Sequence, residues 1–239
     1  MIAKLWSSVR NISGSALITA KSREGRRLGG DRNGNDSFIG GGWTNTIDAG
    51  TDSGFIGGGG FNHTSSSYAA IGGGKCNVIE AGADNSFAGG GYCNTIKTGS
   101  LCSAIGGGYK NNILGNNSFV GGGITNSVYN SCSSVVGGGL NTVSGAYSSV
   151  LGGTFNTVSG DYSSILGGSG NSDGGFNYAG VFGQGVTAVA PNTFHVECLN
   201  AVNTPNITTG PATGTVSYYL VTGAWPAGIT AGMKVLVLA

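Results

Sequence analysis

The chain has 239 residues, 49 of them Gly, with only 9% charged and a net charge of +1. So small a net charge gives no basis for nucleic acid as a partner, and no apolar run is long enough to insert in a membrane. Hydrophobic residues make up 39% and fall in strict register, unlike a disordered Gly-rich linker; helix formers are scarce, so the expectation is an all-β protein.

Residues 1–36 carry seven of the eleven Lys and Arg, namely Lys4, Arg10, Lys21, Arg23, Arg26, Arg27 and Arg32, for a local net charge of +4. Asn11-Ile-Ser-Gly-Ser and Leu28-Gly-Gly-x-x-Asn33 resemble eroded versions of the repeat that follows. The segment reads equally as a docking element that joins the protein to a larger assembly and as a solvated cap. Its start has no apolar core of the kind a signal peptide needs.

From Ser37 to Gly185 the sequence repeats. Gly runs open at Gly40, Gly57, Gly72, Gly89, Gly106, Gly121, Gly137, Gly152, Gly167 and Gly183, at intervals of 15 to 17 residues. That period predicts a solenoid of about ten turns of ~16 residues, each packed on its neighbours. Aligned on the first Gly, the preceding residue is always apolar, as in Ile39, Ile56, Ile71 and Ile105. The residue before that is apolar too: Phe38, Phe55, Ala70, Phe87, Ala104, Phe119, Val135, Val150 and so on. Adjacent strand residues point to opposite faces, so this alignment requires both faces to be covered. A third apolar column runs through Ile47, Thr64, Ile79, Ile96, Ile113, Val128, Val143 and Val158 and predicts a second short strand. It and one of the first two columns fill the interior of a flattened two-sided roll. The other apolar column needs partner chains, most simply in a homotrimer that buries it on its axis. The Phe/Ala alternation suits a crowded axial core.

A fourth column holds Asn45, Asn62, Asn77, Asn94, Asn111, Asn126, Asn141, Asn156 and Asn171. Asn tolerates left-handed backbone and suits a corner, and stacked Asn can form an amide ladder; a row lining a ligand groove is the functional alternative. Trp43, Phe61, Tyr68, Tyr92, Tyr109, Tyr129, Tyr147, Phe155 and Tyr162 lie outside the apolar columns, either packing over corners or presenting contact surfaces.

After Gly185 the composition changes. Residues 186–239 hold all four prolines, and Thr193–Leu199, Gly214–Val221 and Met233–Leu238 read as strands of a small C-terminal β domain, either a tip or a trimerisation cap. Tyr218, Tyr219 and Trp225 are its candidate receptor contacts.

No catalytic motif is present. The histidines, His63 and His195, have no nucleophile in a recognised arrangement, so no enzyme activity is expected. No Cys-x-x-Cys or Cys/His spacing marks a metal site, and no cofactor is expected. Cys76 and Cys93 share a column one turn apart, close enough for a bridge; Cys102, Cys132 and Cys198 have no such mates, and free thiols are expected.

The repeat is cleanest in Asn141-Thr-Val-Ser-Gly-Ala-Tyr-Ser-Ser-Val-Leu-Gly-Gly-Thr-Phe-Asn-Thr-Val-Ser-Gly-Asp-Tyr-Ser-Ser-Ile-Leu-Gly-Gly. It resembles the head repeats of trimeric autotransporter adhesins of the YadA type, which also occur in bacteriophage tail-fibre proteins. The resemblance implies a left-handed parallel β-roll in a homotrimer, with one apolar column on the threefold axis. The adhesin's coiled-coil stalk and membrane anchor have no counterpart here. The implied function is therefore a structural fibre or receptor-binding protein of a phage or virus particle. It would sit on the virion, joined to other fibre proteins through the N-terminal segment and meeting a host-surface glycan or protein. The alternatives are a bacterial surface adhesin head and a purely structural capsid decoration protein.

Overall fold

A computed structural model of the chain describes residues 29–32 and 36–196. Within them lie 20 strands and no helix. We number the strands in chain order. Nine of them form one sheet, from β1 (Gly29–Arg32) and β3 (Trp43–Ile47) to β17 (Thr157–Val158). Eleven form the other, from β2 (Phe38–Ile39) through β12 (Phe119–Val120), β14 (Ser134–Val135) and β18 (Ser164–Ser169) to β19 (Gly180–Gln184) and β20 (Phe194–Val196). Up to β18 the strands alternate between the sheets, β19 and β20 then extending the longer one, and each pairs in parallel with the equivalent strand one turn away. This is a parallel β-solenoid. Its longer sheet has eleven rungs, so at ~4.8 Å per rung the stack is roughly 50 Å long.

Most strands are only two residues long, because each turn must bend twice. What holds them is the next turn: Gly106 N–H donates to Val120 O at 2.9 Å and Asn112 N–H to Asn126 O at 2.8 Å. Both corners use left-handed backbone. One series includes Thr44, Phe61, Cys76, Cys93, Lys110 and Thr125, with φ of 54–57°, and the other Tyr68, Cys102, Cys132, Tyr147 and Tyr162, with φ of 52–57°. That conformation costs an ordinary L-residue energy, and the stacking hydrogen bonds on either side hold it. The expectation that the Asn column itself takes the left-handed turn is corrected here. The preceding residue takes it, and the Asn side chain points inward, fully buried.

The interior is two aliphatic columns facing each other. Ile56, Ile71, Ala88, Ile105, Val120, Val135, Val150 and Ile165 come from the longer sheet, and Ile47, Ile79, Ile96, Ile113, Val128, Val143 and Val158 from the shorter one. Every residue in both rows is 0–1% exposed. Turns of 17 residues differ from those of 15 at one corner, where residues 49–52 take the place that residues 66–67 fill one turn later. The strands and the core therefore keep their register.

Two assignments from the Gly alignment are corrected. Val135 and Val150 do not share the Phe column; they lie in the interior in register with Val120. In their place Ser134 and Ser149 stand in register with Phe119. Phe38, Phe55, Phe87 and Phe119 are on the outside of this chain, and Ile39 is only half-buried. The stacking also passes both expected limits, since β1 pairs with β3 before Ser37 and β20 pairs with β19 beyond Gly185. The basic positions Lys4, Arg10, Lys21, Arg23, Arg26 and Arg27 lie outside the described residues, as do Cys198, the later C-terminal strands, Tyr218, Tyr219 and Trp225.

Candidate functional site

The most conspicuous surface is the outer face of the longer sheet. In its first half the exposed apolar side chains are Phe38, Phe55, Phe87 and Phe119, with Ala70 and Ala104 between them. Phe38 and Phe55 stack at 5.7 Å. After Phe119 the row moves two positions along the strand, to Val136, Leu151, Leu166 and Phe182, still on the same face. These eight large side chains are 41–51% exposed in one chain. The move follows from side-chain size on the two tracks. Gly40, Gly57, Gly89 and Gly121 stand two residues after the four phenylalanines, and Ser134, Ser149 and Ser164 two residues before Val136, Leu151 and Leu166. From Phe38 to Phe182 only one track is filled at a time.

The Asn column is a continuous ladder. Each Asn Oδ1 accepts from the backbone N–H of the Asn one turn on, at 2.9–3.1 Å, from Asn45 to Asn171. Val186 N–H closes it on Asn171 Oδ1 at 2.9 Å. Each Nδ2 donates to the carbonyl four residues back and to a Gly carbonyl of the next turn, as Asn111 does to Gly107 and Gly123. Side chains this buried and fully bonded cannot line a ligand groove.

A second ladder was missed from sequence. Ser103 N–H donates to Ser86 Oγ at 3.0 Å, and the pattern continues through Ser118, Ser133, Ser148 and Ser163 to Ala179 N–H. Its signal is a Ser eight residues before each Asn, interrupted at Gly54 and Ala69. Serine abundance hid it.

The corners carry exposed aromatic rows. Tyr147, Tyr162 and Tyr178 stack in parallel at 5.0 Å, and Tyr92 and Tyr109 at 5.5 Å. Asp48, His63 and Ser65 form the one Ser/His/Asp cluster among the described residues. Both His63 Nε2 and Ser65 Oγ contact the Asp48 carboxylate, at 2.9 and 2.7 Å. The hydroxyl proton thus goes to the carboxylate, and the His–Asp contact uses the same Nε2 that faces the serine, so the relay order of a nucleophilic triad is absent. Partial burial pushes the Asp48 carboxyl up, but the hydrogen bonds from Ser65 and His63 outweigh it and leave it below its ordinary value. Among the described residues no group of three His, Cys, Asp or Glu side chains could hold a metal ion.

Asp173 stands where the aliphatic column of the shorter sheet would continue. Its buried carboxylate accepts from Ser159, Gly160 and Gly175 N–H at 2.7–3.0 Å. It replaces side-chain packing with backbone satisfaction near the end of that sheet.

No protein-family model matches the chain, and no curated protein matches it. Among the described residues no helix is long and apolar enough to cross a membrane.

Proposed function

We propose that this chain is the protomer of a homotrimeric fibre or receptor-binding protein of a phage or virus particle, with the solenoid as a rigid shaft. The observation that carries this reading is the apolar row on the outer face of the longer sheet, from Phe38 to Phe182. A row of that length left in water is unfavourable, at roughly 25 cal/mol for each Å² of apolar surface. Parallel chains set side by side bring equivalent residues to the same height on a common axis. Phe rungs alternating with Ala70 and Ala104 give such an axis room for three rings at some levels and little at others. The resemblance to trimeric adhesin and tail-fibre repeats points the same way. Three binding surfaces on one shaft would let weak contacts to a host surface add.

The test is the solution mass of the purified chain by light scattering after size exclusion. A mass near three chains that resists dilution supports the reading. A stable monomer would remove its main physical support.

A further inference from the structure

A strip of hydrogen-bond donors runs along the corner where the chain enters the shorter sheet. Trp43, Gly60, Lys75, Tyr92 and Tyr109 occupy one position on successive turns, bridged in parallel. The Trp43 indole lies across Gly60, where an added Cβ would meet its Nε1 at 2.6 Å. Lys75 Nζ sits between two rings, 5.9 Å from the centre of Phe61 and 5.8 Å from that of Tyr92. Lys110 Nζ lies 5.0 Å from the centre of Tyr109. All four aromatic side chains are exposed.

These lysines differ from Lys97, which pairs with Glu80 at 2.8 Å. Among the described residues neither Lys75 nor Lys110 has a carboxylate partner, and no Asp or Glu occurs in the segments 42–46, 59–63, 74–78, 91–95 and 108–112. Cation–π contact holds each ammonium in place without neutralising it. The strip therefore offers indole N–H, phenol O–H and the Lys75 ammonium in one column, with the Lys110 ammonium beside it from the next position in the chain, and no acidic side chain competing for them. Donors already held in place lose less freedom on binding.

We propose that this strip binds a linear acidic polysaccharide laid along the shaft. Lys75 and Lys110 stand two turns apart, roughly 10 Å at ~4.8 Å per rung. One small anion can meet only one of them, whereas a chain with recurring carboxylate or sulfate groups can meet both. A sugar unit in an extended chain advances by about one rung, so Tyr92, on the turn between the lysines, and Tyr109, beside Lys110, offer their hydroxyls to the ring oxygens and hydroxyls. The inference rests on the reading of the protein as a surface-binding fibre and names its ligand class and its site on the shaft.

The test is biolayer interferometry of the full chain on immobilised heparin, polygalacturonate and polysialic acid, with dextran as the uncharged control. The expected result is binding to at least one acidic polymer and none to dextran, weakened by salt. Lys75→Ala/Lys110→Ala should weaken it at least tenfold, Lys75→Arg/Lys110→Arg should retain it, and Lys97→Ala should leave it unchanged. Tyr92→Ala/Tyr109→Ala should weaken it while keeping the charge. No binding to any acidic polymer overturns the inference, as does equal binding by the Lys75/Lys110 alanine variant or an equal loss on Lys97→Ala. Light scattering on the same samples separates the two readings. A trimer that binds no acidic polymer sinks the strip alone, and a monomer that binds through it sinks the fibre reading alone. If the Lys75/Lys110 variant loses assembled mass, the strip is a contact between copies and the inference falls.

Discussion

Val120 stands in register with Val135, and Val136, next in the chain, points the other way and is exposed. The Gly runs at Gly121 and Gly137 are 16 residues apart, but Asn126 and Asn141 are 15 apart. The hydrogen-bonded ladder follows the Asn spacing. One residue of difference exchanges the inner and outer faces of the later strands of the longer sheet, while the shorter sheet, which follows the Asn spacing, keeps its own.

Val135→Asp and Val136→Asp should therefore behave oppositely. The first puts a carboxylate among fully buried aliphatic side chains and should cost several kcal/mol, abolishing the cooperative melt. The second should keep the β circular-dichroism signal and, if the apolar row is the interface between copies, reduce the assembled mass. Equal thermal stability of the two variants would contradict the register.

Asn111→Ala should destabilise by about 3 kcal/mol. It leaves Gly107 O and Asn126 N–H without their partners in the interior, and each such group costs roughly 1–3 kcal/mol. Denaturant melts would measure it. A change below about 0.5 kcal/mol would mean that water replaces the amide at no cost.

Gly108 and Gly107 separate close approach from mere glycine content. Gly108 has φ +91°, and a Cβ there would lie 2.3 Å from Gly123 O. Gly107 has nothing within 4 Å of an added Cβ. Gly108→Ala should unfold or misassemble the stack, while Gly107→Ala should stay within about 0.5 kcal/mol of the parent.

Cys76 and Cys93 occupy equivalent corner positions one turn apart, and Cys102 and Cys132 lie two turns apart with Asn117 between them. A rung of ~4.8 Å is within the Cα separation a disulfide spans, and twice that is beyond it. Burial first, then the neighbouring Cys76, raises the Cys93 thiol, so bridge formation should be slow at neutral pH. Treatment with oxidised glutathione followed by peptide mapping should give the Cys76–Cys93 pair. Any Cys102–Cys132 bridge within one chain would contradict the stacking order.

Glu80 is held below its ordinary value of 4.5, chiefly by its hydrogen bond from Lys97. A depressed carboxylate contributes stability above its unfolded value, and loses it as pH falls through the folded one. Glu80→Gln should therefore lower stability slightly at pH 7, where the contribution is fully present, and its profile should converge with that of the parent as pH falls below about 4.5. The pair is only partly buried, so the effect should be under about 0.5 kcal/mol. A larger loss at neutral pH would assign Glu80 a packing role.

The solenoid, the aliphatic column of the shorter sheet and the Asn column are legible in the residues alone, because each residue type recurs once per turn and stacking puts like on like. The sequence could not choose between Val135 and Val136 for the interior. Both are Val, both precede a Gly run, and Gly serves equally at a corner and on an outer strand face, so Gly is a poor register mark. Only the pairing between turns decided that choice, through the Asn126–Asn141 ladder. The same pairing placed left-handed backbone on Cys76 and Lys110 rather than on the Asn residues that tolerate it better, because those side chains are needed inward to satisfy buried carbonyls. It also brought Lys75 between Phe61 and Tyr92. These residues are 14 and 17 positions apart in the chain, and they meet only because three turns lie on top of one another.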